Sequence, residues 1–142
     1  MKSCKHYGAY GLLIRGNNIL LIHKHGGPYN GKLDLPGGGL EQYEHIEECL
    51  RREIMEETEM TVKECSLIGV SDTNIVWLMD KKENLYEDLH HVGIIYKVEA
   101  EGKNKEDADG RDSEGSNYYD LEKLNKEELS PFAKYAVEHI GF

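Results

Sequence analysis

The chain has 142 residues, so a single domain spanning residues 1–142 is expected. It carries 27 acidic and 17 basic residues, and the formal charge of −10 opposes sequence-independent binding to DNA or to an anionic membrane. Hydrophobic residues make up 39% of the chain, which is enough for a core, and they are nowhere continuous enough to predict a membrane span.

The cysteines and the N-terminal residues bear on the compartment. Cys4, Cys49 and Cys65 contain no C-x-x-C pair, so they predict neither a disulfide framework nor a thiolate zinc site. Residues 1–10 lack the apolar stretch of a secretion signal. A reducing, cytoplasmic location is therefore expected.

The first third of the chain reads as strands and loops. Tyr7 to Ile14 and Ile19 to His23 are rich in β-branched and aromatic residues, and they flank the turn-forming residues 15–18. This pattern predicts a β-hairpin. Residues 25–31 include three glycines and a proline and are expected to form a loop, while residues 33–35 form at most a short strand.

The middle of the chain contains the strongest helical signal. Glu44 to about Thr58 contains no glycine or proline and is rich in Glu, Leu, Arg and Met, which predicts a helix. β-branched and aromatic residues predict three later strands, at Val62 to Val70, Asn74 to Met79 and His91 to Val98.

The last part of the chain predicts a loop, a strand and a second helix. Glu101 to Ser116 is polar and is expected to be a mobile loop, followed by a strand at Asn117 to Leu121. Ser130 is a capping residue placed directly before a proline, so a helix should start there and run to about His139. Mixed helices and strands without an internal repeat predict an α/β sandwich with a mixed sheet.

The predicted first helix is unusually acidic. Between Glu41 and Glu59 there are eight glutamates and two arginines. Glu53, Glu56 and Glu57 follow i, i+3 and i+4 spacing, which places their Cβ atoms roughly 5–6 Å apart on one face. The helix can simply carry a solvated acidic face. Alternatively, three converging carboxylates can share a hard divalent cation, Mg²⁺ or Mn²⁺, which in turn suggests phosphate chemistry.

Two neighbouring features fit such a cation site. Arg52 lies one residue before Glu53 and four before Glu56, where it can orient a carboxylate for the metal, or form an ordinary surface pair. Three consecutive glycines at 37–39 let backbone groups approach an ion or a phosphate closely. The glycine run lacks the Gly-Lys-Ser/Thr ending of a P-loop.

These features together resemble the signature of the Nudix hydrolases across residues 38–60. The positions that carry the resemblance are Gly38, Glu44, Arg52, Glu53, Glu56 and Glu57. The resemblance implies an α/β/α sandwich with a mixed β-sheet, and hydrolysis of a pyrophosphate linkage in a nucleoside di- or triphosphate derivative.

The resemblance also implies roles for the helix residues. Glu53, Glu56 and Glu57 would ligate Mg²⁺ or Mn²⁺, with the Gly38 carbonyl nearby. The metal would activate a water molecule that attacks phosphorus in line. Glu53 or Glu57 is a candidate general base, and Glu114, ahead of the strand at 117–121, is the candidate from a later loop.

Substrate contacts are expected from residues outside the helix. Lys24 and His25 follow the second strand of the hairpin and are candidates for contacting substrate phosphate. Tyr10 and Trp77 are candidates for stacking on a base, with core packing as the alternative for both. The expected partner is a small-molecule nucleotide, and the family also often forms homodimers.

Two positions depart from the family pattern. Glu59 stands where the signature has glycine, and Tyr43 stands where the commoner lead-in has glycine. A non-glycine residue in a left-handed helix cap costs about 1 kcal/mol or shifts the helix end. The alternative function is therefore a catalytically impaired Nudix-fold module that binds nucleotides or regulates.

Overall fold

A computed structural model describes residues 1–104 and 113–142, except for the side chains of residues 113 and 114. The strands are β1 (Lys2–Leu12), β2 (Ile14–Arg15), β3 (Asn18–Lys24), β4 (Leu33–Asp34), β5 (Gly37–Gly39), β6 (Thr61–Asp80), β7 (Leu85–Glu101) and β8 (Ser113–Asp120). The helices are α1 (Ile46–Thr58) and α2 (Pro131–His139), with a short 3₁₀ helix at Lys126–Glu128.

The strands form two four-stranded sheets. The first sheet has the order β5-β1-β7-β6, and in the second β3 pairs with β2, β4 and β8. β1 and β7 are parallel, whereas the other pairs are antiparallel. The expected α/β/α sandwich with a mixed sheet is confirmed, and the strands divide between two sheets.

Two hydrophobic clusters fill the space between sheets and helices, and β1 contributes to both. Its Tyr10 and Leu12 belong to the cluster around Phe132 of α2. Its Ala9, together with Leu13 just beyond the strand, belongs to the cluster around α1. Successive residues of a strand point to opposite faces, so β1 is buried on both sides over this stretch.

The predicted hairpin is confirmed only next to its turn, where β2 pairs with the start of β3 and the Leu20 N–H donates to the Leu13 carbonyl. The preceding strand, β1, starts at Lys2 and pairs with β5 and β7 in the first sheet instead. The physical reason is that β1 lies inside the first sheet, with β5 on one edge and β7 on the other, so its backbone hydrogen bonds go to those two strands. The apolar residues thus continue from β1 in the first sheet to β2 in the second, and nothing in the residue types indicates where the chain passes from one sheet to the other.

The two strands expected at 62–70 and 74–79 form one strand, β6. The polar residues between them pair with β7, Ser71 opposite Gly93 and Thr73 opposite His91. Pairing with a neighbouring strand outweighs the weak strand preference of such residues. β7 also starts earlier than expected, at Leu85, and continues to Glu101. Of the loop expected at 101–116, residues 105–112 lie outside the described chain, and Ser113 already belongs to β8.

The helix predictions hold closely. α1 begins at Ile46, two residues after the expected start, and the backbone N–H of His45 donates to the Glu48 carboxylate at 3.1 Å. α2 begins at Pro131 as expected, with Ser130 accepting a hydrogen bond from the backbone N–H of Ala133. Neither helix in the described chain has the length and apolar character needed to cross a membrane.

Candidate active site

The glycine run lies between β1 and α1. Gly37–Gly39 forms the edge strand β5, because its backbone pairs with residues 8–10 of β1. A Cβ atom on Gly38 would lie 2.5 Å from the Glu53 carboxylate. Glycine at this position therefore lets the Glu53 carboxylate lie directly against the strand, where a larger residue would have to displace it.

Glu57 is the most deeply buried carboxylate of α1. Its side chain is 7% exposed, and its Oε1 accepts a hydrogen bond of 2.7 Å from the backbone N–H of Gly37. Burial raises the pKa of Glu57 to about 8, while Lys24 and the Gly37 N–H act in the opposite direction. Glu57 thus joins α1 to the glycine strand.

Glu53 and Glu56 lie on the same side of the helix but are more open to solvent. Burial raises the pKa of Glu53, and the neighbouring Arg52 guanidinium opposes that rise. Arg52 Nη1 lies 2.7 Å from Glu53 Oε1 and 3.4 Å from both carboxylate oxygens of Glu56. The predicted spacing therefore brings Arg52 to both glutamates.

Arg52 also contacts Glu44, a residue for which the sequence predicted no role of its own. The Nε and Nη2 groups of Arg52 donate to the two Glu44 oxygens at 2.7 and 2.9 Å, and Nη2 donates to the Gly39 carbonyl at 3.1 Å. The hydrogen bond from Arg52 lowers the pKa of Glu44 to about 2. Glu44 precedes the helix, so helical spacing could not reveal this contact.

The donor set fits a hard divalent cation. Among the described residues, Glu53, Glu56 and Glu57 do not form a group in which one oxygen of each lies within 4.8 Å of the other two. The Gly37 N–H instead orients the carboxylate of Glu57, and Arg52 orients those of Glu53 and Glu56. Oxygen-only donors of net negative charge are the ligands that Mg²⁺ and Mn²⁺ prefer.

A cavity of about 190 Å³ opens beside the glycine strand. Lys24 and Trp77 line it, whereas the exposed His25 is absent from its described lining. The lining residues are His6, Tyr10, Lys24, Pro28, Tyr29, Asp34, Gly37, Gly38, Gly39, Trp77, Glu87, Leu89 and His91. The cavity and the carboxylates thus share the glycine strand as a common wall.

Three of the residues that line this cavity, Tyr10, Tyr29 and His91, are joined by hydrogen bonds. The Tyr10 hydroxyl lies 2.9 Å from His91 Nε2, and the Tyr29 hydroxyl lies 2.7 Å from His91 Nδ1. Burial lowers the pKa of His91 to about 4, so the ring is neutral and must donate to one tyrosine and accept from the other. The sequence did not reveal these partners of His91, which come from a distant strand and a distant loop.

Asp34, like His91, is a buried polar residue for which the sequence predicted no contacts. It is 2% exposed and accepts hydrogen bonds from the Ser130 hydroxyl and the backbone N–H of Leu35. Burial raises the pKa values of Tyr10 and Tyr29, and the charge of Asp34 raises them further. The sequence did contain one indication that Asp34 is buried, because it lies between two core leucines, Leu33 and Leu35.

Glu114, the general-base candidate from a later loop, lies in the backbone of β8. Its side chain is outside the described part of the chain, so its role stays a prediction.

The two departures from the family pattern share one backbone feature. Tyr43 has φ of 66° and Glu59 has φ of 63°, both in the left-handed region that favours glycine. The helix end has not shifted, because the Glu59 N–H still donates to the Met55 carbonyl at 2.9 Å. The sequence left two outcomes open, a shifted helix end or a strained residue in the cap. The helix end is in place, so Glu59 itself adopts the left-handed conformation that favours glycine.

Comparison with known proteins supplies the family context for this geometry. Residues 5–140 match the family model described as NUDIX domain. The chain is 32% identical over 116 residues to an ADP-ribose pyrophosphatase of Methanocaldococcus jannaschii. That alignment covers 82% of the chain and 62% of the relative, so the chain spans less than two thirds of the relative's length.

Solved structures are similar along nearly the whole chain. A MutT NUDIX hydrolase from Burkholderia pseudomallei matches with a TM-score of 0.75 at 24% identity, covering 96% of this chain and 98% of that one. A MutT protein from Bacillus halodurans matches with a TM-score of 0.70 at 23% identity, covering 95% and 81%. These likenesses concern the fold.

Proposed function

The chain belongs to the Nudix family, and from this premise we propose that it is a metal-dependent hydrolase of the pyrophosphate linkage in a nucleoside di- or triphosphate derivative. One observation carries the proposal. Glu53 and Glu57 are held against the glycine strand, which is also a wall of the neighbouring cavity. A substrate in that cavity would have its phosphates beside the carboxylates.

The proposed cation is Mg²⁺ or Mn²⁺. Glu53, Glu56 and Glu57 would hold it, with the Gly38 carbonyl nearby. When bound, it would supply charge neutralisation for the pyrophosphate oxygens and activation of the attacking water.

The protein's own groups have positioning and proton-transfer roles in this proposal. Arg52, fixed by Glu44 and by the Gly39 carbonyl, orients the carboxylate of Glu53. Glu53, Glu57 and Glu114 are the candidates for the general base that removes the proton from the attacking water.

The cavity would bind the nucleoside part of the substrate. Lys24 lies on its wall and already interacts electrostatically with Glu53 and Glu57, which supports a role in binding phosphate. Trp77 presents a half-buried ring for stacking. The hydroxyl of Tyr10 is engaged with His91, so Tyr10 would contribute the edge of its ring.

Substrate hydrolysis tests this function. The protein is incubated with Mg²⁺ or Mn²⁺ and a panel of nucleoside triphosphates, dinucleoside polyphosphates and nucleotide sugars. ADP-ribose is included because a relative carries its name. We expect turnover of at least one compound, reduced at least 100-fold in Glu56→Gln. The matched control is Glu47→Gln, an exposed glutamate on α1 outside the described contacts of Arg52, and it should retain activity.

Two results would overturn the proposal. Equal activity in Glu56→Gln and the control would remove the carboxylates from the mechanism. Nucleotide binding without product under either cation would favour the alternative, a catalytically impaired binding or regulatory module with substituted residues at Tyr43 and Glu59.

A further inference from the structure

A second cluster of metal-ligating side chains lies on the first sheet, away from α1. Cys4 and His6 are two residues apart on β1, so their side chains lie on the same face. β7 runs parallel beside β1 and places Glu87 next to them. The ligand atoms of these three residues all lie within 4.8 Å of one another.

We propose that Cys4, His6 and Glu87 form a binding site for a borderline divalent cation of the Zn²⁺ class. A thiolate sulfur, an imidazole nitrogen and a carboxylate oxygen are the ligands that zinc takes in proteins. Three protein ligands leave the fourth tetrahedral position for water or another small ligand. A mixed sulfur, nitrogen and oxygen set does not suit Mg²⁺, which prefers oxygen alone.

The carboxylate of this site is positioned before any cation arrives. Glu87 is only 5% exposed, and its Oε1 accepts a hydrogen bond of 3.0 Å from Trp77 Nε1. Such a contact leaves the second oxygen available and fixes the plane of the carboxylate, as partners behind metal ligands commonly do. The Cys4 sulfur lies within 4.8 Å of a carboxylate oxygen of Glu87. The cation would replace the thiol proton of Cys4, which passes to solvent.

The cluster differs from the glutamate site in place and in chemistry. Its ligands come from β1 and β7 and include sulfur and nitrogen, whereas those of α1 offer oxygen only. His6 and Glu87 also line the cavity that contains Lys24 and Trp77. A cation held here would therefore lie at the edge of the cavity.

The sequence predicted no thiolate zinc site because its cysteines form no C-x-x-C pair. Two of the three ligands are adjacent on one strand face, but the third comes from a strand far along the chain. Only the parallel pairing of β1 with β7 brings them together.

Titration with Co²⁺, a coloured substitute for Zn²⁺, tests the site on the full chain. A thiolate bound to Co²⁺ gives a charge-transfer absorption that oxygen ligands do not give. We expect one equivalent of Co²⁺ to produce this absorption, and added Zn²⁺ to abolish it. The absorption should be lost in Cys4→Ser, and the apparent affinity should fall at least tenfold in His6→Gln and in Glu87→Gln.

Two control variants separate this site from others. Cys65→Ser removes another partly exposed cysteine, whose Sγ lies 3.0 Å from Glu47 Oε1, and should keep the absorption. Glu56→Gln alters the glutamate helix and should also keep it. Far-ultraviolet circular dichroism verifies that each variant is folded. Absence of the absorption in the unmodified protein, or its persistence in folded Cys4→Ser, would overturn the proposal.

Discussion

Arg52 holds Glu44 by two hydrogen bonds, Nε to Oε2 at 2.7 Å and Nη2 to Oε1 at 2.9 Å. The third arm of the guanidinium, Nη1, donates to Glu53 at 2.7 Å. Because the guanidinium is planar and rigid, two hydrogen bonds on one edge also restrict the orientation of its remaining N–H groups. Glu44 therefore orients Glu53 from a distance, without itself facing the cavity.

The first prediction concerns the positioning of Glu53 by Glu44 through Arg52. Glu44→Gln replaces a charged acceptor and should lower kcat/KM by about 10- to 100-fold, because the supporting partner of an active-site group is weakened. The Mg²⁺ concentration that gives half-maximal rate should rise as well. Steady-state kinetics across a Mg²⁺ titration measures both effects.

Glu47→Gln is the matched control for that variant, since it makes the same substitution on an exposed glutamate. If both variants lose activity equally, or if neither does, Glu44 has no special positioning role.

The second prediction uses the two neighbouring glycines of β5. A Cβ atom on Gly38 would lie 2.5 Å from the Glu53 carboxylate, whereas a Cβ on Gly39 would meet no atom within 4 Å. Gly38→Ala should displace the flexible end of Glu53 and reduce kcat at least 100-fold. The free energy of unfolding should change by less than about 1 kcal/mol. Gly39→Ala should retain activity, and a comparable loss in both variants would contradict the assignment.

The third prediction concerns backbone strain at the end of α1. Glu59→Gly should raise the free energy of unfolding by about 0.5 to 1 kcal/mol, because glycine adopts φ of 63° without the Cβ penalty. Glu59→Ala keeps the Cβ and should bring no such gain. Urea unfolding of both variants measures the difference. Stabilisation by alanine equal to that by glycine would show that the side chain, and not the backbone, is responsible.

The fourth prediction is a pH dependence that arises from His91. Its pKa is about 4 in the folded protein and about 6.5 in an unfolded chain. Between these values the unfolded chain binds more protons, so the free energy of unfolding falls as the pH is lowered. The slope contributed by His91 is at most about 1.4 kcal/mol per pH unit.

Urea unfolding at several pH values between 4 and 7 tests this contribution. His91→Gln should flatten the slope, because no imidazole remains at this position to take up a proton when the chain unfolds. An unchanged slope in His91→Gln would contradict the proposed neutral histidine.

Local signals in the sequence were enough for both helices. Ser130 followed by Pro131 predicted the start of α2, and the spacing of Glu53, Glu56 and Glu57 predicted their common face. Such features are decided by neighbouring residues, so they can be recognised from one chain segment.

Features that depend on sheet pairing were missed. The residue types of β1 do not show that it pairs with β5 and β7, and the polar centre of β6 suggested a break. The contacts of His91 with Tyr10 and Tyr29 depend on the same pairing. The Arg52–Glu44 contact was missed for a related reason, because Glu44 precedes the helix.

The most direct test of the proposed reaction is hydrolysis of the best substrate in ¹⁸O-labelled water, followed by mass analysis of the products. Attack by water at phosphorus predicts one ¹⁸O atom in one phosphate-bearing product, with turnover abolished by chelation of the metal and restored by Mg²⁺ or Mn²⁺. Turnover that persists after complete chelation, or products without ¹⁸O, would contradict the account.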